Sequence, residues 1–313
     1  MKATPLVHIG YHKTGSTWFQ KELYPHCSSH RYVPRRRVQE ALLMDTAFGF
    51  NAGRARRLLE DGFDGRPLLL CEEELSGNPH SAGMRGSFSK DLAERIHSTL
   101  PDAHVLIFIR NQVDMAAALY RHYVREGGTH GPSRYLRPDS WRTDAHRHPF
   151  KFPLFSLEFL QYQGLIAYYR SLFGEGRVHV FAFEAFRQDA KGFVAAFANR
   201  LAIQADLAQL DYRPSNAGLS RNALVIARFL NRFTYRSLID KQWIGPLISN
   251  KLRSNLPLWL NRSPLRGPRT GPQEVLGPSL AAEIDWRFAD SNTELVQLTG
   301  LPLAELGYPT AAR

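Results

Sequence analysis

Four short apolar runs recur along the chain: Pro5–Gly10 (PLVHIG), Pro67–Cys71 (PLLLC), His104–Arg110 (HVLIFIR) and Arg177–Phe183 (RVHVFAF). None alternates apolar with polar positions. Near-continuous apolar character over so few residues marks strands buried on both faces, as in a parallel sheet. Segments of helical period lie between and around them: Ser16–Leu23, Ser89–Leu100, Val113–Arg125, Phe155–Phe173, Phe186–Leu201 and, near the end, Pro278–Gln297. This order predicts an α/β fold with a central parallel sheet flanked by helices in three layers. Two stretches break the pattern. Residues 127–153 are rich in Gly, His, Arg and Pro without periodicity, a length of loop that usually carries function or stays disordered. Trp243–Pro272 mixes Leu, Trp and Ile with Lys, Arg and Pro, and reads as an extra helical layer or an interfacial element.

Composition narrows the classes. Of 313 residues, 43% are hydrophobic and 22% charged, which excludes a mostly disordered chain. That length builds a core without disulfides. The two cysteines, Cys27 and Cys71, make neither a disulfide framework nor a Cys-based zinc site, and fit a reduced, cytoplasmic-type compartment. Met1–Gly10 lacks the apolar core of a signal peptide, and no window approaches the roughly 18 apolar residues of a membrane span. Forty Lys and Arg against 29 Asp and Glu leave a net charge of +11. Nucleic acid, an anionic membrane surface or a small polyanion would each account for it. No nucleic-acid recognition motif is present, and the aromatics do not interleave with the basic residues, so nucleic acid is not expected.

The first run leads into Tyr11-His12-Lys13-Thr14-Gly15-Ser16-Thr17-Trp18 and then a helix. Strand, Gly-containing turn and helix start present backbone N–H groups to an anion. Lys13 adds a cation, and Ser16 and Thr17 add hydroxyls. Gly10 and Gly15 have the spacing of the P-loop glycines, yet Ser16 stands where that pattern has its lysine, and Lys13 lies inside the loop. The third run ends in Arg110, where ligands of such sheets bind and where a guanidinium suits a phosphate. The second ends in Glu72-Glu73-Glu74, where crowding and burial should raise at least one carboxyl pKa.

HKTGSTW, His12 to Trp18, resembles the 5′-phosphosulfate loop of sulfotransferases that use 3′-phosphoadenosine 5′-phosphosulfate (PAPS), in particular the bacterial branch related to carbohydrate and heparan-type enzymes. The resemblance covers most of residues 5–235. It implies that Lys13 contacts the bridging oxygen and that Lys13, Thr14, Gly15, Ser16, Thr17 and Trp18 surround the 5′-phosphate. That family's 3′-phosphate motif is an Arg, a Ser eight residues later and a Tyr two further. Arg110 and Tyr120 match, but Ala118 stands at the Ser position, leaving Arg121, Ser220 or Arg221 to compensate.

The pattern Glu-x-Leu-Ser-Gly places the family's catalytic base at Glu73, with Glu72 and Glu74 pointing elsewhere along an extended segment. His12 is the rival base, and Glu184 is structural. The implied reaction is metal-free sulfuryl transfer from PAPS to a hydroxyl or amine of a carbohydrate or glycolipid acceptor. His122, His130, His146 and His148 take surface or acceptor-loop roles, and Arg134, Tyr135, Arg137, Trp141 and Arg142 cover the acceptor side. The expected organisation is a single domain over 1–313: an α/β core at 5–235, an acceptor-side loop at 127–153 and a helical extension at 236–313. The protein is expected in the cytoplasm, with peripheral contact at the inner membrane. A P-loop small-molecule kinase and a nucleotide-binding relative without transfer activity remain as alternatives.

Overall fold

The computed structural model describes residues 4–80, 86–137, 155–213, 218–234, 244–267 and 271–311. Strands β1 (Leu6–His8), β2 (Arg31–Tyr32), β3 (Leu68–Cys71), β4 (His104–Ile109) and β5 (Val178–Ala182) form one parallel sheet in the order β2-β3-β1-β4-β5. Val7 at its centre sits between Leu70 and Val105. The apolar runs are continuous because both faces are covered. Val7, Leu70, Val105, Ile107 and Val180 join one core layer. Leu6, Leu69, Leu106, Phe108 and Phe181 join the other, against Phe19 and Phe197. Four of the five strands coincide with the four predicted runs; β2 has two residues, too few to leave a pattern.

Helix α1 (Ser16–Trp18) continues through a π segment, Phe19–Leu23, into a 3-10 turn, Tyr24–His26. Helices α2 (Arg35–Leu42) and α3 (Ala52–Glu60) connect β2 to β3, and α4 (Ser87–Thr99) connects β3 to β4. After β4 come α5 (Gln112–Arg125), α6 (Pro132–Leu136) and α7 (Tyr162–Phe173). Phe155–Phe173 is therefore not one helix: Ser156 caps a separate 3-10 turn over Leu157–Leu160. The predicted helix Phe186–Leu201 is also two, α8 (Phe183–Gln188) and α9 (Ala190–Arg200). Asp189 divides them because its carboxylate accepts from the Gly192 amide as the cap of α9.

Helices α10 (Arg221–Leu230), α11 (Asn250–Arg262), α12 (Pro272–Leu276) and α13 (Pro278–Thr299) complete the chain. The last of these is less of an appendage than the sequence suggests. Asn292 on α13 and Gln112 on α5 exchange side-chain hydrogen bonds of 2.7 and 3.0 Å while both are buried. No helix among the described residues is long and apolar enough to cross a membrane.

From β1 the chain runs to β2 and β3 on one side of the sheet, then returns to β4 and β5 on the other. The crevice beyond the carboxyl ends of β1 and β4 is thus the topological switch point, where open α/β sheets bind ligands.

Candidate active site

Residues 9–15 fill that crevice. The Ile9 and Gly10 amides donate to the Leu106 carbonyl, and the Tyr11 amide donates to that of Phe108, so the loop hangs on β4. Thr14 is fully buried, and its hydroxyl donates to the Tyr11 carbonyl, closing the turn from inside. Gly15 has φ +92°, a conformation that favours glycine, and a Cβ there would lie a tight 3.2 Å from Phe183. Lys13 has φ +64°, a left-handed backbone that lysine rarely adopts.

Arg110 donates through Nη1 to the Lys13 carbonyl at 2.9 Å and stacks 4.9 Å over the Phe183 ring. Its Nε is buried without a hydrogen-bond partner, and its nearest carboxylate contact, Asp114, is 3.6 Å away. Burial lowers the Arg110 pKa, against the pull of Asp114 and Glu184. Arg121 is lowered by burial and then by Arg110. Arg187 on α8 lies 3.7 Å from the same Asp114. Arg110 and Arg187 share the Asp114 carboxylate, and Arg121 adds a third partly desolvated guanidinium, an environment that favours a phosphate or sulfate.

The rest of the 3′-phosphate motif is rearranged. Ala118 lies on the incompletely buried stripe of α5 with Asp114 and Arg121, one turn from each. Tyr120 faces inward instead: 1% exposed, it donates to the His130 carbonyl and accepts from Arg228. The matching tyrosine is thus a core residue here. Ser220 precedes α10, with its hydroxyl buried and unpartnered. Arg221 is exposed on the first turn of that helix. Trp18 is also in the core: its indole N–H donates to the Asp211 carbonyl, and the ring packs between Phe186 and Tyr212. Thr17 is half-buried beside it in sequence.

The three glutamates are separated. Residues Glu73–Ser76 form a 3-10 turn rather than an extended segment, and the three carboxylates take different sets of partners, with Arg35 shared by Glu72 and Glu73. Glu72 is fully buried and takes both forks of Arg35, at 2.6 and 2.9 Å, with Gln39 at 2.6 Å. Glu73 accepts from Ser16 at 3.2 Å, Gln20 at 3.3 Å and Arg35 at 3.3 Å. Glu74 pairs with His12 Nε2 at 3.2 Å. Burial pushes the Glu74 carboxyl up, but the His12 hydrogen bond and charge, with Arg35, bring it below the usual range. The crowding expected to raise a carboxyl pKa is thus met by cations at this site.

The Lys13 ammonium makes no hydrogen bond or ion pair with a described residue. Burial lowers its pKa, Arg125 adds to that, and Glu73, Glu126 and Glu74 oppose it. His12, only 8% exposed, has its Nδ1 buried without a partner. His80 is held low by burial and then by His12. His122 is pushed down to about 4 by burial and then Lys13. Neutral imidazoles at His80 and His122 thus surround the loop cation at neutral pH. No group of His, Cys, Asp or Glu among the described residues has the arrangement of a metal site.

Sequence reasoning missed Arg35, Arg187, Gln20 and His80. Arg187 had a signal, since it follows the carboxyl end of β5 by one helical turn. Arg35 had none, being one of three consecutive arginines. Of the acceptor-side residues, Tyr135 is buried and stacks on Tyr123, and Arg137 pairs with Glu283 at 2.7 Å. His130 is buried, and its backbone amide donates to the Tyr123 hydroxyl. Trp141, Arg142, His146 and His148 lie outside the described residues. Glu184 is buried as a brace, accepting from the Asn111 amide and the Tyr308 hydroxyl.

No protein-family model matches the chain, and no curated protein is significantly similar to it. Among solved structures, it is similar to a sulfotransferase from Alicyclobacillus acidocaldarius, with a TM-score of 0.50 and 21% identity over 75% of this chain and 98% of that one. It also overlaps mouse sulfotransferase SULT7A1 complexed with PAP, with a TM-score of 0.44 and 12% identity over 95% of this chain and 87% of that one. The likeness to the bacterial protein, together with the five-stranded parallel order, shows that this chain has the α/β fold of a sulfotransferase.

Proposed function

We propose that the protein transfers a sulfuryl group from PAPS to a hydroxyl of a carbohydrate or glycolipid acceptor. The observation that carries this reading is the buried Arg110 guanidinium, with its Nε unpartnered and its Nη1 bonded to the carbonyl of the loop lysine. Two adjoining cationic features, at the ends of β1 and β4, suit a donor with phosphates on the 5′ and 3′ positions of one ribose. Arg121 and Arg187 extend the positive centre beside Arg110 and offset the missing hydroxyl at Ala118.

In this reaction the acceptor oxygen bonds to sulfur as the bond from sulfur to the 5′-phosphate oxygen breaks, leaving 3′,5′-ADP. Lys13 stabilises the charge that grows on the leaving oxygen. Glu73 takes the acceptor proton, and Ser16 and Gln20 fix its carboxylate beside the loop. A second reading has its own support: His12 is oriented by Glu74, and its Nδ1 is unpartnered, the arrangement of a carboxylate-oriented imidazole base.

Nucleotide titration tests the proposal. Binding of 3′,5′-ADP without magnesium, with weak response to ATP, is expected, together with radiolabelled sulfate transfer from PAPS to a glycan or glycolipid. Tight Mg·ATP binding in place of 3′,5′-ADP overturns it in favour of a kinase. Binding of 3′,5′-ADP with no transfer across the acceptor panel would leave a nucleotide-binding relative instead.

A further inference from the structure

Residues 218–271 contain ten Lys and Arg and one acid, Asp240, a net of +9 out of the chain's +11. None of the proposed catalytic groups lies there. Eight of the twelve exposed large apolar side chains among the described residues belong to the same stretch. Phe229 on α10 is 55% exposed; Leu247 before α11 is 73% exposed; Trp259 on α11 is 61% exposed; and Leu265 just after it is 68% exposed. Lys251, Arg262 and Arg266 are exposed among them.

Helix α11 is apolar on two sides. Arg253, Pro257 and Leu260 turn inward, where Arg253 donates to the Arg125 carbonyl and to Asn231. Leu252, Leu258 and Trp259 turn outward. Exposed apolar clusters ringed by charge mark an interaction surface. The covering partner must be anionic and accept apolar side chains. A second copy of this face would set Lys251, Arg262 and Arg266 against like charges, and a nucleic-acid backbone has no use for the leucines.

We infer that α10 and α11 form a peripheral membrane-binding face for anionic phospholipid. Trp259, Phe229 and the leucines enter the headgroup boundary, and the surrounding Lys and Arg meet lipid phosphates. A cleft of about 240 Å³ between α11 and the end of α5, lined by Arg125, Glu126, Arg253, Pro257 and Leu258, lies beside this face. Arg125 and Glu126 also act electrostatically on Lys13, so a bound bilayer lies close to the proposed transfer site.

Vesicle flotation of the full chain tests it, using phosphatidylcholine with and without phosphatidylglycerol. Binding should be about tenfold greater with the anionic lipid and weaken as salt rises. Leu258→Ser with Trp259→Ser should remove most of it at unchanged circular dichroism, whereas Trp286→Ser, altering an 81% exposed tryptophan on α13, should not. Should the double variant fail to fold, quenching of wild-type tryptophan emission by brominated phosphatidylglycerol gives an independent reading and is expected. Equal binding to both vesicles, no binding, or no quenching overturns the inference. So does a dimer in sedimentation that Trp259→Ser dissociates while vesicle binding is unchanged.

Discussion

The Arg110 guanidinium donates to the carbonyl oxygen of Lys13 at 2.9 Å, so the end of the fourth strand sets the loop that follows the first. The two proposed anion contacts are one mechanical unit. Arg110→Lys keeps the charge but loses the fork that serves the carbonyl and a phosphate together. Its affinity for 3′,5′-ADP should fall roughly tenfold or more by calorimetry. Unchanged affinity would remove Arg110 from the donor site.

Lys13 carries both the proposed charge and an unfavourable backbone, φ +64°. Lys13→Ala and Lys13→Gly should both abolish transfer. They should differ in stability, the glycine variant being more stable by roughly 1 kcal/mol, because only glycine adopts this conformation without cost. Denaturant melts of the two variants check this; an alanine variant as stable as the glycine one contradicts it.

The base assignment separates by kinetics. Glu73→Gln keeps the Ser16 and Gln20 neighbourhood but cannot take a proton, so turnover should drop roughly 100-fold or more with little change in donor affinity. His12→Asn should cost far less. The reverse order would move the base to His12 and its partner Glu74.

Ala118 sits one turn from both Asp114 and Arg121 on the open stripe of α5. A hydroxyl there should add one hydrogen bond to a 3′-phosphate. Ala118→Ser should therefore tighten 3′,5′-ADP binding by about 1 kcal/mol, roughly fivefold. Equal or weaker binding means that a guanidinium already fills that space.

His8 is wholly buried, stacked on Phe108 and bonded to the Tyr24 hydroxyl at 2.7 Å, and burial lowers its pKa from 6.5 to about 3. Below pH 6.5 the unfolded chain takes up a proton here that the folded chain refuses. Its contribution to stability is therefore complete above pH 6.5 and is lost as pH falls towards 3, by about 2 kcal/mol at pH 5. His8→Phe should flatten the fall in stability between pH 7.5 and 5 by about that amount in urea titrations. An identical slope in both proteins would show that His8 does not contribute.

Much of this was legible in the chain. Strands buried on both faces read directly as apolar runs, and the loop from His12 to Trp18 declared itself by residue type. The break at Asp189 did not, because capping is a local contest that helical period does not report. Nor did the division of labour among Glu72, Glu73 and Glu74, which depends on Arg35 arriving from another helix. Tyr120 shows the same limit: its position fits the motif, but its side chain is buried against the His130 carbonyl and Arg228.

The brace at Glu184 has a bearing on how the protein is made. Its carboxylate joins the Asn111 amide, right after Arg110, to the Tyr308 hydroxyl, while the Asn111 side chain donates to the Gly307 carbonyl at 2.6 Å. During translation the loop and β4 emerge long before residues 307 and 308. A chain still on the ribosome lacks the Gly307 and Tyr308 contacts that hold Asn111 and Glu184, so the backbone next to Arg110 is braced only once those residues have emerged.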